Sequence, residues 1–278
     1  YEWVIRDWSS DVCSSDLIQF SVAPGEIFGF LGPSGAGKST TQKILLGSLR
    51  GYAGTATVAG KEASRADGAY RSVIGAAFEF PCFYQKLTGL ENLRLFASLY
   101  PGPQDDPLAL LDRLGLADAA SRRVGEYSKG MKMRLNLARA VIHRPKALFL
   151  DEPTSGLDPA NARVVRDIVR ERAAEGVSVF LTTHDMAAAD AVCDRVAFLV
   201  EGRIAACDSP SALKRRYGRR AVVIDRDGDC PQAEFPLEGL AGNEDFLGEL
   251  KKPGLLGIRT LDSSLDAIFL QLTGRELS

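Results

Sequence analysis

Gly32-Pro33-Ser34-Gly35-Ala36-Gly37-Lys38-Ser39-Thr40 decides how this 278-residue chain folds. It fits the phosphate-loop pattern G-x-x-x-x-G-K-[ST]. Ahead of it, Ile27 to Leu31 is an apolar run of strand length. Behind it, Ile44, Leu45, Leu46 and Leu49 group as the face of a helix packed on a sheet. The glycines let the backbone bend through conformations closed to other residues, so successive N–H groups point into one concavity. The helix that follows adds its positive dipole end. Lys38 is then placed to reach terminal phosphates, and Ser39 to put its hydroxyl on Mg2+. A bare glycine-rich turn without ligand would give the same nine residues; the strand before and the helix after select a nucleoside triphosphate.

Working outward, Thr55–Ala59 and Val73–Phe80 read as strands, the second ended by Pro81. Residues 83–142 are helical in character, with Met131, Leu135, Ala138 and Ile142 lining one face before Pro145 breaks the helix. Ala147–Leu150 and Val177–Leu181 are short, unalternating apolar runs, which suit parallel strands covered on both sides. Between them lies a helix carrying Arg163, Val164, Ile168 and Val169. Val196–Val200 and Arg203–Ala206 read as a hairpin through Glu201-Gly202. Beyond Gly218 the tail holds candidate strands at Ala221–Ile224 and Leu255–Ile258. A last helix there has Leu265, Ile268, Phe269 and Leu272 on one side.

A net charge of −2 gives no broad basic field for nucleic acid. The cluster Lys214, Arg215, Arg216, Arg219 and Arg220 reads as a solvated helix end, and no apolar run reaches transmembrane length. The five cysteines, at 13, 82, 193, 207 and 230, show no metal spacing and read as reduced thiols. His143, ahead of Arg144-Pro145, is expected at a surface or capping position. The segment Asp7-Trp8-Ser9-Ser10-Asp11-Val12-Cys13-Ser14-Ser15-Asp16-Leu17 resembles the in-frame translation of a short-read sequencing adapter. Residues 1–17 are therefore read as a non-native segment and set aside from the fold, with authentic sequence resuming near Ile18; ordinary N-terminal strand sequence is the alternative.

Ala147-Leu148-Phe149-Leu150-Asp151-Glu152 puts two carboxylates at the C-terminal end of a buried strand, the edge where ligands of open α/β sheets sit. Beside a magnesium nucleotide, Asp151 suits metal binding and Glu152 suits polarising the attacking water.

Asp151-Glu152-Pro153-Thr154-Ser155-Gly156-Leu157-Asp158-Pro159 is similar to the metal-binding strand and D-loop of ATP-binding-cassette ATPases. Tyr127-Ser128-Lys129-Gly130-Met131-Lys132 resembles their signature loop, and Leu181-Thr182-Thr183-His184-Asp185 their histidine switch. The resemblance covers about residues 18–216. It implies an α/β P-loop NTPase: a RecA-like core with a mainly parallel sheet, an antiparallel β subdomain, and an α-helical subdomain at about 83–145. A small C-terminal α+β extension, 217–278, would follow. It also implies two domains paired head to tail with ATP between them. Ser128 and Gly130 would touch the γ-phosphate on the partner's phosphate loop, Asp158 would report across the interface, and His184 would hold the γ-phosphate beside Glu152. Ser264-Leu265-Asp266-Ala267-Ile268-Phe269 looks like the extension of drug and bacteriocin-immunity exporter subunits.

Three departures from the family pattern matter. Glu79 stands where glutamine is usual, and Glu79-Phe80-Pro81-Cys82-Phe83-Tyr84 with Leu87–Leu93 looks like the bacteriocin and peptide-antibiotic resistance branch. Glu79 is expected to contact the metal or its water and to sense the membrane partner. Lys129 and Met131 replace the commoner glycine and glutamine, while Ser128 and Gly130 are retained. The aromatic residue that normally stacks on adenine falls at Ser9, inside the adapter-like segment.

The reading that follows is the ATP-hydrolysing subunit of an exporter, docked from the cytoplasmic face on a separate permease, with a homodimer expected. A cassette ATPase acting on ribosomes or DNA would call for tandem cassettes or a long heptad insert. A catalytically idle partner would lack Glu152 or His184. Import rather than export is separated by resemblance alone.

Overall fold

Phe28 and Phe30, two apart and so on one face of their strand, are both fully buried, and their rings lie in a cluster with Phe20, Phe149 and Phe180. Each such ring stabilises the fold by roughly 1.5–3 kcal/mol through burial, so this cluster anchors the sheet that carries the phosphate loop. The computed structural model describes residues 18–218, 221–227, 233–261 and 263–274, and the backbone of Val4–Arg6. The chain divides between Ser209 and Pro210 into two compact units.

The first unit begins with β1 (Val4–Arg6), β2 (Ile27–Leu31), α1 (Lys38–Leu45), β3 (Thr55–Val58), β4 (Lys61–Glu62), α2 (Gly68–Arg71) and β5 (Ile74–Ala77). Three helices follow, α3 (Gly89–Ser98), α4 (Pro107–Arg113) and α5 (Lys129–Val141). The unit closes with β6 (Ala147–Asp151), α6 (Pro159–Ala174), β7 (Ser178–Thr183), α7 (Met186–Val192), β8 (Arg195–Val200) and β9 (Arg203–Asp208). Six of these strands form one sheet in the order β5-β6-β7-β2-β8-β9, parallel except for the last pair. Because β2, β6 and β7 run the same way, the loop after β2, Asp151 at the end of β6 and Thr183 at the end of β7 meet at one edge. A smaller antiparallel sheet has the order β1-β3-β4.

Side-chain caps start the helices where the sequence changes. Thr88 and Glu91 form a reciprocal capping box on α3, Asp106 caps α4, and Ser128 caps α5 through the Met131 amide at 3.2 Å.

The second unit contains α8 (Pro210–Tyr217), β10 (Ala221–Arg226), β11 (Ala233–Pro236), α9 (Glu244–Lys251), β12 (Leu255–Leu261) and α10 (Leu265–Thr273). Its antiparallel sheet has the order β11-β10-β12. Val222 and Ile224 of β10 bury against Phe246 of α9. Leu265, Ile268 and Phe269 are the buried face of α10, which packs on α8. α8, with Leu213 buried, belongs to this compact unit, which starts at Pro210.

Three expectations are corrected. Val4–Arg6, set aside with residues 1–17, pair antiparallel with Thr55–Thr57, because backbone pairing to β3 needs no local period. The strand expected over Val73–Phe80 stops at Ala77, where its pairing with Leu150 ends, and Phe80 is left 79% exposed. His143 is buried rather than at the surface, 6% exposed, with its ring stacked on Tyr100 and Nε2 at 2.9 Å from the Ile74 carbonyl. Tyr100 lies just past the C-terminal end of α3, far away in sequence, which is why the helix-end context misleads. Ser9, Cys13, Arg219, Arg220 and Cys230 lie outside the described residues.

Candidate functional site

The loop after β2 is held open by its glycines. Gly35 and Gly37 have φ of +80° and +107°, in the region that L side chains resist. A Cβ on Gly32 would lie 2.2 Å from the Leu199 carbonyl, so the loop passes too close to β8 for any side chain there. Ala36 is buried, with its amide on the Pro33 carbonyl at 3.2 Å and its carbonyl accepting from Gly202 at 3.1 Å. Lys38 curls back, Nζ donating to the carbonyls of Gly32 at 2.6 Å and Pro33 at 2.9 Å. Desolvation pulls the Lys38 pKa below the usual lysine range, and the nearby Glu152 and Asp151 carboxylates oppose that shift.

Two carboxylates meet two threonines across β6 and β7. Asp151 accepts from the Thr182 hydroxyl at 2.6 Å. Glu152 has a left-handed backbone, φ +47°, uncommon for a residue with a side chain. That turn directs its carboxylate to the end of β7, where Thr183 Oγ1 donates to Oε2 at 2.8 Å and the His184 amide to Oε1 at 2.9 Å. The imidazole Nδ1 of His184 is also 2.6 Å from Oε1.

A cavity of about 450 Å3 gathers Ser34, Gly35, Gly37, Lys38, Ser39, Thr40, Glu79, Asp151, Glu152 and His184. Gly32, Pro33 and Ala36 shape the loop from behind. Ser128, Gly130 and Asp158 are not among the cavity's lining residues. Ser128 and Asp158 are exposed, and Asp158 caps α6 through the amides of Ala160 and Asn161, both at 3.1 Å. The Asn161 side chain and amide hold its carboxyl below the usual range. Gly130 and Lys129 pack inside the same chain against Leu157 and Gly156. Sequence reading missed the roles of Thr182 and Thr183; consecutive hydroxyls at the end of a buried strand beside Asp151-Glu152 were the available signal.

The donor set suits a magnesium nucleotide. Ser39 and Asp151 offer hard oxygens, and among the described residues no group of three or more His, Cys, Asp or Glu side chains could enclose a metal alone. A cation that keeps waters and shares phosphate oxygens fits such a sparse set.

A family model for the ABC transporter matches residues 16–155. The chain belongs to the ABC transporter family. It is 54% identical over 264 residues to a fluoroquinolones export ATP-binding protein of Mycobacterium tuberculosis, covering 94% of this chain and 88% of that one. A daunorubicin resistance ATP-binding protein of Streptomyces coeruleorubidus is 35% identical, with 93% and 90% covered. A Nod factor export ATP-binding protein of a Rhizobium species is 36% identical, with 94% and 92% covered. Among solved structures, an ATP-binding subunit of an ABC transporter superposes with TM-score 0.70 at 28% identity, over 78% of this chain and 94% of that one.

This ABC ATPase has a second surface feature beside its site. Arg139 of α5 lies 5.1 and 5.2 Å from the ring centroids of Phe83 and Phe96 and donates to the Cys82 carbonyl at 3.1 Å. Phe80 and Tyr84 stand out from this segment, 79% and 58% exposed. No helix among the described residues is long and apolar enough to cross a membrane.

Proposed function

We propose that this subunit hydrolyses ATP to power export of a drug, antibiotic or antimicrobial peptide through a separate integral-membrane permease. It would act as one half of a homodimer at the cytoplasmic face of the cell membrane. Two of these relatives are export proteins and one a drug-resistance protein, which supports the direction of transport. We assign residues 18–216 to the ATPase domain, with its helical subdomain at about 83–145, and residues 217–278 to an accessory extension; α8, at the end of the first span, packs within the second compact unit.

The observation that carries the two-chain reading is the position of Ser128 and Gly130. They start α5, whose N-terminus offers amide donors suited to phosphate, yet the cavity of their own chain does not include them. In our reading Gly32–Thr40 cradle the phosphates of one copy while Ser128 and Gly130 close the site from the other, with Asp158 at the seam. Ser39 and Asp151 would hold Mg2+, with Glu79 at the metal or its water. The cation supplies charge neutralisation along the phosphates. Glu152 would take the proton of the attacking water, and His184 would steady the terminal phosphate beside it. The exposed Phe80 and Tyr84, with the helical region, form the surface we assign to the permease's cytoplasmic helices.

Complementation tests this directly. Lys38→Ala and Ser128→Arg, each inactive alone, leave one intact composite site when mixed, because the intact loop and the intact serine then come from different copies. Mixed dimers should regain close to half the parent turnover for each such pair. No recovery in dimers verified to be mixed would refute the head-to-tail site.

A further inference from the structure

We infer that Thr183 is a positioning residue that sets the plane of the Glu152 carboxylate, an inference resting on the reading of Glu152 as the base. Thr183 closes β7 and is 2% exposed. Its hydroxyl oxygen accepts from the Asp185 amide at 3.0 Å while lying 2.8 Å from Oε2 of Glu152. A hydroxyl has one proton, and an ionised carboxylate can only accept, so that proton points at Oε2. The Asp185 amide thus fixes the hydroxyl and the hydroxyl fixes the carboxylate. Asp185 in turn caps α7 through the Ala188 amide at 2.9 Å, so the chain of bonds ends on a helix.

The other carboxylate oxygen, Oε1, is held by the His184 backbone amide at 2.9 Å and by its imidazole, but that side chain is 64% exposed, against 13% for Glu152. Water competes for the imidazole contact far more than for the buried hydroxyl. The Thr183 hydroxyl on Oε2 and the His184 backbone amide on Oε1 are therefore the lasting restraints, and the His184 imidazole is the one free to turn toward a ligand. Next to it, Thr182 treats Asp151 in the same way at 2.6 Å, so consecutive hydroxyls hold consecutive carboxylates. The parallel register makes this possible: Asp151 is paired with Thr182 across β6 and β7, and Glu152 meets Thr183 one step further along.

Thr183→Val keeps the branched shape and removes only the hydroxyl; Thr183→Ser keeps the hydroxyl. Three measurements on the full chain are needed: steady-state ATP hydrolysis, calorimetric affinity for a non-hydrolysable ATP analogue, and amide hydrogen exchange of residues 182–186 without nucleotide. Thr183→Val should lower kcat about 10-fold, the scale of one hydrogen bond to a charged group, with KM and analogue affinity within about twofold. Its Asp185 amide should exchange faster, and Thr183→Ser should restore every value. Parent-like kcat in Thr183→Val, a loss of analogue affinity equal to the loss of rate, or no rescue by serine would each overturn the assignment. Glu152→Gln, run alongside, separates the two claims: if it is inactive while Thr183→Val is not, only the positioning role fails, whereas normal turnover in Glu152→Gln removes the base itself.

Discussion

Nδ1 of His184 lies 2.6 Å from Oε1 of Glu152, and the His184 amide reaches the same oxygen at 2.9 Å. The partner that receives them sits in a left-handed backbone conformation, φ +47°, which costs about 1–3 kcal/mol outside glycine. Three hydrogen bonds from the end of β7 offset that cost and hold the carboxylate at the cavity wall. A strained residue kept in place by converging donors, beside a phosphate loop, is organised around one side chain.

Replacing that side chain tests the arrangement. In Glu152→Gln the amide oxygen can still accept from Thr183 or His184, but it takes no proton at neutral pH. ATP binding should persist while turnover falls roughly 10²–10⁴-fold. Phosphate release alongside calorimetric ATP binding separates the two effects.

Lys38 is half-buried and tied to two carbonyls of its own loop. Lys38→Ala removes the cation and leaves those carbonyls without their donor. ATP affinity should drop at least about 10-fold, the loss of one charge-assisted contact, and hydrolysis with it. Binding and turnover equal to the parent would discard the phosphate-loop assignment.

Glu79 lines the same cavity from the segment that follows β5. If it senses the permease, Glu79→Gln should lower the extra hydrolysis that transported drug elicits from the complex in membranes, by about threefold or more on the scale of a single polar contact. Equal stimulation in parent and variant defeats that role.

His143 gives a pH prediction with a definite sign. Burial pulls its pKa below 6.5, partly opposed by the Ile74 carbonyl. As pH falls through 6.5 the unfolded chain takes up a proton that the folded chain refuses, so stability is whole above that point and declines below it. His143→Phe should keep the stack on Tyr100, lose the carbonyl bond and flatten this acid-side decline. The difference in slope is at most about 1.4 kcal/mol per pH unit for one proton. Urea unfolding of both proteins between pH 5 and 8 measures it; parallel curves would remove His143 from the titration.

Local spacing made much of the site legible. The nine residues Gly32–Thr40, the strand ending Asp151-Glu152, and the unalternating runs of β6 and β7 each carry their reading within a few positions. What escaped depends on distant chain. Asn136 captures the Phe78 carbonyl at 2.7 Å and pulls the chain out of the sheet, so β5 is shorter than its apolar run. Tyr100 covers His143, which no helix-end rule anticipates. The short Ala233–Pro236 strand has too few residues to declare a period. The threonine hydroxyls became visible only once the pairing of β6 with β7 was seen, because register between distant strands is not written in either one.

One helix ties two distant tasks together. α5 has 13 residues, so it is about 20 Å long, and Ser128 begins it. Further along, fully buried Asn136 grips Phe78, and Arg139 is bonded to Asn136 at 2.6 Å and to the Cys82 carbonyl at 3.1 Å. Phe78 and Cys82 are therefore fastened to the same helix that Ser128 caps. On the proposed reading, a pull by the permease on the aromatic stretch would be carried along α5 to the serine that reaches the second copy, so the two contacts would be coupled.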